Sequence, residues 1–272
     1  MTYARNVFAG ELFDTWLSVK FESRNHLRRR RFLIVIVLAI LVPFLFYLVN
    51  TLGDVDFINS GSSFALHTLA FLNVLIIICA TLFAGDAVSG EFEKKTGLLL
   101  FPTPQSRTSI FIGKYLAALL ATFIVAALYC AVTTVEIIGM YGTGGIPAEL
   151  ARAYGLSALY AVSAVSVVYF CSSVFKRTMA STILGFISLF MLLPVLERIL
   201  SLVDIEPWFI VTYSAKLIIQ DLGEITFEGP MRMRFALEGF TPDLETGIAV
   251  MAVYAVVFFA GGIIVANRKG ME

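Results

Sequence analysis

Six long apolar segments alternate with polar ones along this chain. A helix that crosses a membrane needs roughly 20 mainly apolar residues, and each segment meets that length. They are residues 32–50, 64–84, 107–138, 153–175, 179–202 and 245–267. The pattern predicts an all-α integral membrane protein in which residues 1–272 form one transmembrane domain with six helices.

Residues 6–23 predict an amphipathic helix before the first span. Its apolar face carries Phe8, Leu12, Trp16 and Val19, and its opposite face carries Glu11, Asp14, Ser18 and Glu22. Tryptophan is enriched where a membrane meets water, so the helix is expected to lie in that interface. The alternative is a helix that packs against cytoplasmic protein.

A polar segment between the second and third spans predicts a second short helix, over residues 86–97. Ala84, Val88 and Phe92 recur at helical spacing and form a narrow apolar stripe, and Gly97 is a natural stop. Two prolines then exclude a regular helix, and Ser106 is suited to cap the third span. An ordinary solvated loop is the alternative.

Residues 203–243 separate the fifth and sixth spans. The stretch FIVTYSAKLII, which follows Pro207 and Trp208, is apolar but too short to cross a bilayer. It predicts an interfacial or re-entrant helical segment on the outer side.

Composition and charge support a membrane location and give an orientation. The chain is 58% hydrophobic and 15% charged, against roughly 45–50% and about 25% for soluble domains. With the N-terminus inside, fifteen Lys and Arg residues lie on the inner side and five on the outer side. Cytoplasmic loops carry the excess of Lys and Arg. We therefore expect a multi-pass protein of the cell membrane with both termini in the cytoplasm.

The catalytic signals in the sequence are weak. Gly113-Lys114 is followed by Tyr115, so it does not complete a phosphate-binding P-loop. No HExxH motif occurs, and the three cysteines have no metal-ligand spacing. We expect no catalytic residues, no metal site and no nucleic-acid partner.

Polar and aromatic residues near the outer ends of the spans are candidates for a pathway or an outer gate. They are Glu136, Glu197, Arg198, Pro207, Trp208 and Tyr213. Acidic groups inside a membrane can mark an ion path; the alternative is that these groups only reach the lipid headgroups. Because the spans hold few ionisable groups away from their ends, any transported substrate is expected to be amphiphilic.

The polar loop and the six-span plan resemble the type-2 permeases of ATP-binding-cassette exporters. Members carry a first cytoplasmic loop similar to Gly-Glu-x-Glu-x-Gly-Thr, followed by leucines, Leu-Pro-x-Ser-Arg and Gly-Lys. The matching residues here are Gly90, Glu91, Glu93, Thr96, Leu99, Leu100, Pro104, Ser106, Arg107, Gly113 and Lys114. Lys95 stands where the family usually has a glycine, which shifts the expected end of the helix.

The resemblance implies a function for the loop. In such permeases it is a coupling helix that docks on a separate cytoplasmic ATPase, which binds ATP and magnesium; the permease itself holds no cofactor. The residues expected to contact that ATPase are Asp86, Val88, Gly90, Glu91, Phe92, Glu93, Lys95 and Thr96. Further partners would be membrane lipids and a second permease, identical or related.

Two other interpretations stay open. The chain could be a scaffold that uses the ATPase for mechanical work on a partner outside the membrane, without transport. A membrane-embedded enzyme is the third class, but it would need a Ser–His or metal constellation, and His67 is the only histidine in a predicted span.

Overall fold

A computed structural model describes residues 2–52, 60–93, 106–223 and 240–269, with side chains from residue 13 onward. Within these ranges the chain is helical and contains no strand. The α-helices are α1 Thr2–Arg28, α2 Arg30–Leu52, α3 Gly61–Ala84, α4 Ser89–Glu93, α5 Arg107–Tyr141, α6 Leu150–Val174, α7 Thr178–Ile187, α8 Leu193–Leu202, α9 Val211–Ser214, α10 Leu217–Gln220 and α11 Leu244–Arg268. The prediction of an all-α architecture is confirmed for the described residues.

Six helical segments of the described chain are long and apolar enough to cross a membrane. These spans are Arg30–Leu52, Gly61–Glu93, Arg107–Tyr141, Leu150–Val174, Thr178–Leu202 and Leu244–Arg268. The predicted number is confirmed, and most predicted ends lie within three residues of the observed ones. The second span differs most at its end, because the chain continues past residue 84 through a turn at 85–88 and into α4.

Side-chain caps fix where three spans begin. Ser60 accepts a hydrogen bond from the backbone N–H of Ser63, and Asp243 accepts one from Thr246. Ser106 accepts one from Ser109 at 3.1 Å, as its predicted capping role requires. Each cap satisfies a donor that the first helical turn leaves free.

The fifth span changes its winding at its centre. A π-helical turn, Ser188–Leu192, joins α7 to α8, and the N–H of Leu193 donates to Ser188 O. Pro194 follows directly and has no N–H to donate. A local widening of the helix before a proline fits this missing donor, and π-turns of this kind often occur at functional sites.

The second and fourth spans form the centre of the bundle. In the most apolar stretch of each of these two spans, 67% is buried inside the protein, against 17% in the fifth and sixth spans. The first, fifth and sixth spans therefore expose apolar side chains outward, as helices surrounded by lipid do. Ser157, Ala161 and Ala164 of the fourth span are buried at this centre, where small residues let helices approach closely.

Helix α1 extends beyond the predicted 6–23 and packs along the start of the third span. Ser18 and Glu22, assigned by sequence to the polar face, are partly buried on this side, and Val19 is buried with them. Trp16 is 62% exposed. Trp16 and Val19, placed on one face by the sequence pattern, thus occupy different environments.

Candidate functional site

One end of the bundle gathers residues 85–93 with the adjoining ends of several helices. We call this the basal end; it includes the start of the third span, the end of the fourth, the start of the fifth and the end of the sixth. Helix α1 covers one side of it. The described residues of the family-like motif, Gly90, Glu91, Glu93, Ser106, Arg107, Gly113 and Lys114, lie here, so this end is the candidate functional site.

The 85–93 segment is held from inside by three serines. Ser172 Oγ accepts hydrogen bonds from the backbone N–H groups of Val88 and Ser89 at 3.0 and 3.1 Å. Ser89 Oγ lies 2.9 Å from Ser181 Oγ, which also donates to Gly85 O. All three serines are buried. The turn before α4 is therefore joined to the fourth and fifth spans by polar contacts that water cannot easily replace.

A buried lysine joins α4 to two other helices. Lys114 Nζ lies 2.8 Å from Glu91 Oε1 and also contacts Glu22 Oε1 of α1. The side-chain exposures are 8% for Lys114, 14% for Glu22 and 15% for Glu91. We call these three residues the ionic junction. It ties the third span, α1 and the 85–93 segment together at one point.

Lys114 keeps the Glu22 carboxyl group of the ionic junction ionised despite its burial. Burial alone would raise the pKa of Glu22, but the Lys114 ammonium beside it outweighs that effect, and the pKa lies below its usual value. The carboxylate therefore stays ionised. An ammonium with two carboxylates forms a charge-assisted contact stronger than a neutral hydrogen bond.

Gly113 allows α1 to reach this junction. A Cβ atom at this position would lie 2.4 Å from Ser18 Cβ, closer than two carbon atoms can approach. The Gly-Lys pair of the loop motif thus has two structural tasks: Gly113 admits α1, and Lys114 binds its carboxylate.

The arginine block before the first span meets the same segment. Arg29 Nη1 and Arg31 Nη1 lie 2.9 and 3.3 Å from Asp86 Oδ2. The sequence pattern assigned these arginines only to membrane orientation. The structure adds a second ionic attachment of the 85–93 segment, now to the first span.

The end of α4 contacts the fifth and sixth spans. Glu93 Oε2 accepts a hydrogen bond from Thr178 N at 2.7 Å and so caps the start of α7. Phe92 is partly buried against the core, and Lys269 Nζ lies 4.7 Å from the centre of its ring, within cation–π distance.

Lys269 also closes the end of the fourth span. Its Nζ donates to Ser173 O at 2.9 Å and Phe175 O at 2.7 Å. A lysine at a helix C-terminus satisfies carbonyl groups that have no helical partner. Burial and the nearby Lys176 charge lower the pKa of Lys269 to about 8.

A cavity of about 870 Å³ opens between α1 and the 85–93 segment. Residues of the ionic junction, Asp86 with its two arginines, Gly90 and Glu93 line it, and Leu17, Phe21 and Ile110 add an apolar wall. The candidate site therefore contains both fixed ionic contacts and an open cavity with charged and apolar walls.

The candidate pathway or gate residues lie in different environments. Glu197, 8% exposed, forms an ion pair with Lys216, and Tyr213 OH donates to Glu206 Oε1 at 3.1 Å. Arg198 and Trp208 are exposed, whereas Pro207 is buried. Glu136 lies apart in the third span, and its Oε2 has no hydrogen-bond partner among the described residues.

The short apolar stretch after Pro207 forms two four-residue helices, α9 and α10, and not one helix. Val211, Tyr213, Leu217 and Ile218 are buried, and Asn73 Nδ2 of the second span donates to Ala215 O at 3.5 Å. Asn73 lies twelve residues after the start of α3, about 18 Å along the helix. This segment therefore packs between the spans.

The described loop-motif residues lie at one end of the bundle, and sequence reasoning missed their partners. The missed partners come from distant parts of the chain: Glu22, Ser172, Ser181 and Lys269. In the sequence, the one sign of their role is that each is a polar residue within or next to an apolar run. Val88 is fully buried, so it supports the segment from within. Lys95, Thr96 and Pro104 lie outside the described residues, and Arg107 is exposed at the start of the third span.

The fold and the site describe an all-helical protein with the features of a multi-pass membrane protein. Residues 32–271 match the family described as "Protein of unknown function (DUF2705)", and the chain belongs to that family. No curated protein sequence matches the chain.

Proposed function

We propose that this chain is the membrane subunit of an ATP-driven transporter of the ATP-binding-cassette type, with export as the direction of transport. A separate ATPase would bind ATP and magnesium and dock on the basal end. Two copies of the chain, or this chain and a related one, would form the membrane part of the complex.

The attachment of the 85–93 segment carries this proposal. The segment contacts Lys114 of the third span through Glu91, the first span through Asp86, and the fifth span through Glu93. Ser89 adds a contact to the fourth span, and Phe92 lies beside Lys269 of the sixth. A partner that moved this segment would therefore move several helices as rigid bodies.

The ordinary-loop alternative fits this geometry less well. A solvated loop has few buried polar contacts and a locally low stability. The 85–93 segment instead has a buried serine and ion pairs at Asp86 and Glu91. Glu91 and Phe92 use their side chains for these internal contacts. Glu93 also caps α7, but its side chain is exposed, so we place the ATPase contact of the described segment there.

The two ends of the molecule fit the proposed direction. The Lys and Arg excess supports a cytoplasmic position for the basal end, where an ATPase would have access to ATP. At the other end, α9 and α10 lie between the outer halves of the spans and would close the pathway there. An amphiphilic substrate suits spans whose exposed surfaces are almost wholly apolar.

The test is copurification from native membranes. We expect affinity-tagged full-length chain, extracted in mild detergent, to bring down a protein with a P-loop and an ATPase activity that vanadate inhibits. Glu93→Arg should reduce the recovered ATPase at least about tenfold, as loss of a central interface contact does. Glu149→Arg, an exposed reversal at the opposite end, is the matched control.

Recovery of a monodisperse chain with no ATPase, from cells that express both proteins, would overturn the proposal. An ATPase that copurifies and whose activity responds to an outer-side protein, but never to an amphiphile, would favour the mechanical scaffold over the exporter.

A further inference from the structure

The charged groups that attach the 85–93 segment to the bundle also line the basal cavity. Its charged wall carries three permanent cations, Arg29, Arg31 and Lys114, and four carboxylates, from Glu22, Asp86, Glu91 and Glu93. A purely anionic ligand would meet the excess of carboxylates, and a purely cationic ligand would meet the two arginines. A ligand that carries both charges matches this wall.

Two residues of the cavity wall have a polar atom without a partner among the described residues. His26, which is 5% exposed, and Thr178 both line it. His26 Nδ1 and Thr178 Oγ1 are buried and have no hydrogen-bond partner among the described residues. Burial and the nearby Arg29 charge lower the pKa of His26, so this ring adds no charge at neutral pH. Buried polar atoms of this kind are normally satisfied, so these two residues of the cavity wall each keep an unused hydrogen-bonding atom.

The apolar wall of the cavity continues onto the exposed face of α1. Leu17 and Phe21 line the cavity and are also 47% and 69% exposed. Phe13 and Trp16 extend this exposed face by one turn. Aromatic residues of this type occupy the interface between headgroups and acyl chains. The cavity thus opens beside the part of the protein that is suited to contact lipid.

We propose that this cavity is a binding site for the headgroup of a zwitterionic aminophospholipid from the cytoplasmic leaflet. The phosphate would lie on Arg29 and Arg31, and the amine would approach Glu91 and Glu93. The acyl chains would leave along Leu17 and Phe21. A guanidinium has five N–H donors, so its contact with Asp86 leaves others for a phosphate.

The dimensions agree with this assignment. A volume of about 870 Å³ falls within the roughly 300–1,000 Å³ typical of small-molecule sites. Gly90 lies on the wall, and a Cβ there would meet nothing closer than 3.9 Å. A larger side chain at position 90 would therefore extend into the cavity without a backbone clash.

The site can be tested on the purified full-length chain alone, without ATP or an ATPase. The chain is delipidated in detergent, and the retention of added phosphatidylethanolamine, phosphatidylglycerol, phosphatidylcholine or free phosphorylethanolamine is measured by native mass spectrometry. We expect phosphatidylethanolamine to be retained best. Phosphatidylcholine should bind less well, because its quaternary amine cannot donate a hydrogen bond.

Two variants alter the site in different ways. Gly90→Leu fills the cavity, and Arg31→Gln removes a cation that is half exposed and does not support the core. Each should weaken phosphatidylethanolamine retention about tenfold, as expected for loss of one charged contact. Gly139→Leu, at a helical glycine with open space around it, is the matched control and should retain the lipid as the unaltered chain does.

Equal retention of phosphatidylethanolamine by the unaltered chain, Arg31→Gln and Gly90→Leu would overturn the proposal. Stronger retention of phosphatidylglycerol would also overturn it, because an anionic lipid requires a net cationic site. Equal binding of free phosphorylethanolamine would overturn it too, because the acyl chains would then contribute nothing to binding. Because no ATPase takes part, these outcomes are independent of the proposed coupling function.

Discussion

Lys114 Nζ lies 2.8 Å from Glu91 Oε1, and both side chains are largely withdrawn from solvent. The two residues are 23 positions apart, at opposite ends of a polar loop, and the contact closes that loop. Glu22 joins the same ammonium from α1. The loop is therefore fixed to the bundle where it begins and where it ends.

Lys114→Met should destabilise the protein strongly, because it leaves two buried carboxylates without their cation. Removing one partner of a buried pair costs about 3–5 kcal/mol. Glu22→Gln should cost less, since Lys114 keeps Glu91. Thermal unfolding of the purified chain in detergent measures both effects. Lys20→Met, at an exposed lysine of α1, is the control, and an equal midpoint shift for Lys20→Met and Lys114→Met would contradict the prediction.

Gly113→Ala should separate α1 from the third span. The new methyl group would lie 2.4 Å from Ser18 Cβ, and overpacking of this kind costs about 1–3 kcal/mol. We expect faster tryptic cleavage after Lys20 and Arg24, which are exposed on α1. Gly139→Ala introduces the same methyl group into open space and should leave the cleavage rate unchanged. Protection equal to that of the unaltered chain would show that α1 tolerates the displacement.

Lys269 should give the protein a stability component that rises with pH. The pKa of Lys269 is lowered from 10.5 to about 8 by burial and by Lys176. Between these two values the unfolded chain binds more protons than the folded one, so stability from this group increases as pH rises. The unaltered chain should thus gain stability relative to Lys269→Gln between pH 7 and about 10. Parallel stability profiles for the two proteins would contradict this.

Lys216→Met should loosen the segment that contains α9 and α10. Glu197 is buried on the fifth span, and its ion pair with Lys216 attaches α9 and α10 to that span. Without the ammonium, hydrogen exchange of the backbone amides in residues 210–221 should accelerate. Glu197→Gln in the Lys216→Met background should recover part of the protection, because no unpaired charge then remains. Arg198→Met, at an exposed neighbour, should have no effect; unchanged exchange in Lys216→Met would remove the ion pair from the account of this segment.

The six spans could be predicted from the sequence because a bilayer sets a length and an apolarity that local composition must satisfy. The beginnings of the spans were partly predictable for a similar reason. Ser106 caps the third span through a contact with a residue three positions away, and such local contacts leave a signature in the chain. The match of Gly90, Glu91, Gly113 and Lys114 to a motif likewise depended only on their order.

The partners of these residues depended on the fold. Nothing near Glu91 in sequence indicates that it meets Lys114 and, through it, Glu22. The helical pattern of α1 placed Glu22 on a polar face, which is equally compatible with water and with a buried lysine. Only the packing of α1 on Gly113 turns that face toward the bundle.

The division has one physical cause. Solvent type, chain periodicity and capping act over a few residues, so the sequence by itself determined the all-helical membrane-protein class and the number of spans. Ion pairs such as Arg29–Asp86 and contacts such as Lys269–Phe92 join residues 57 and 177 positions apart. Their formation requires helices brought together by burial of the second and fourth spans, so the tertiary structure alone decided which charges are paired and where the cavity lies.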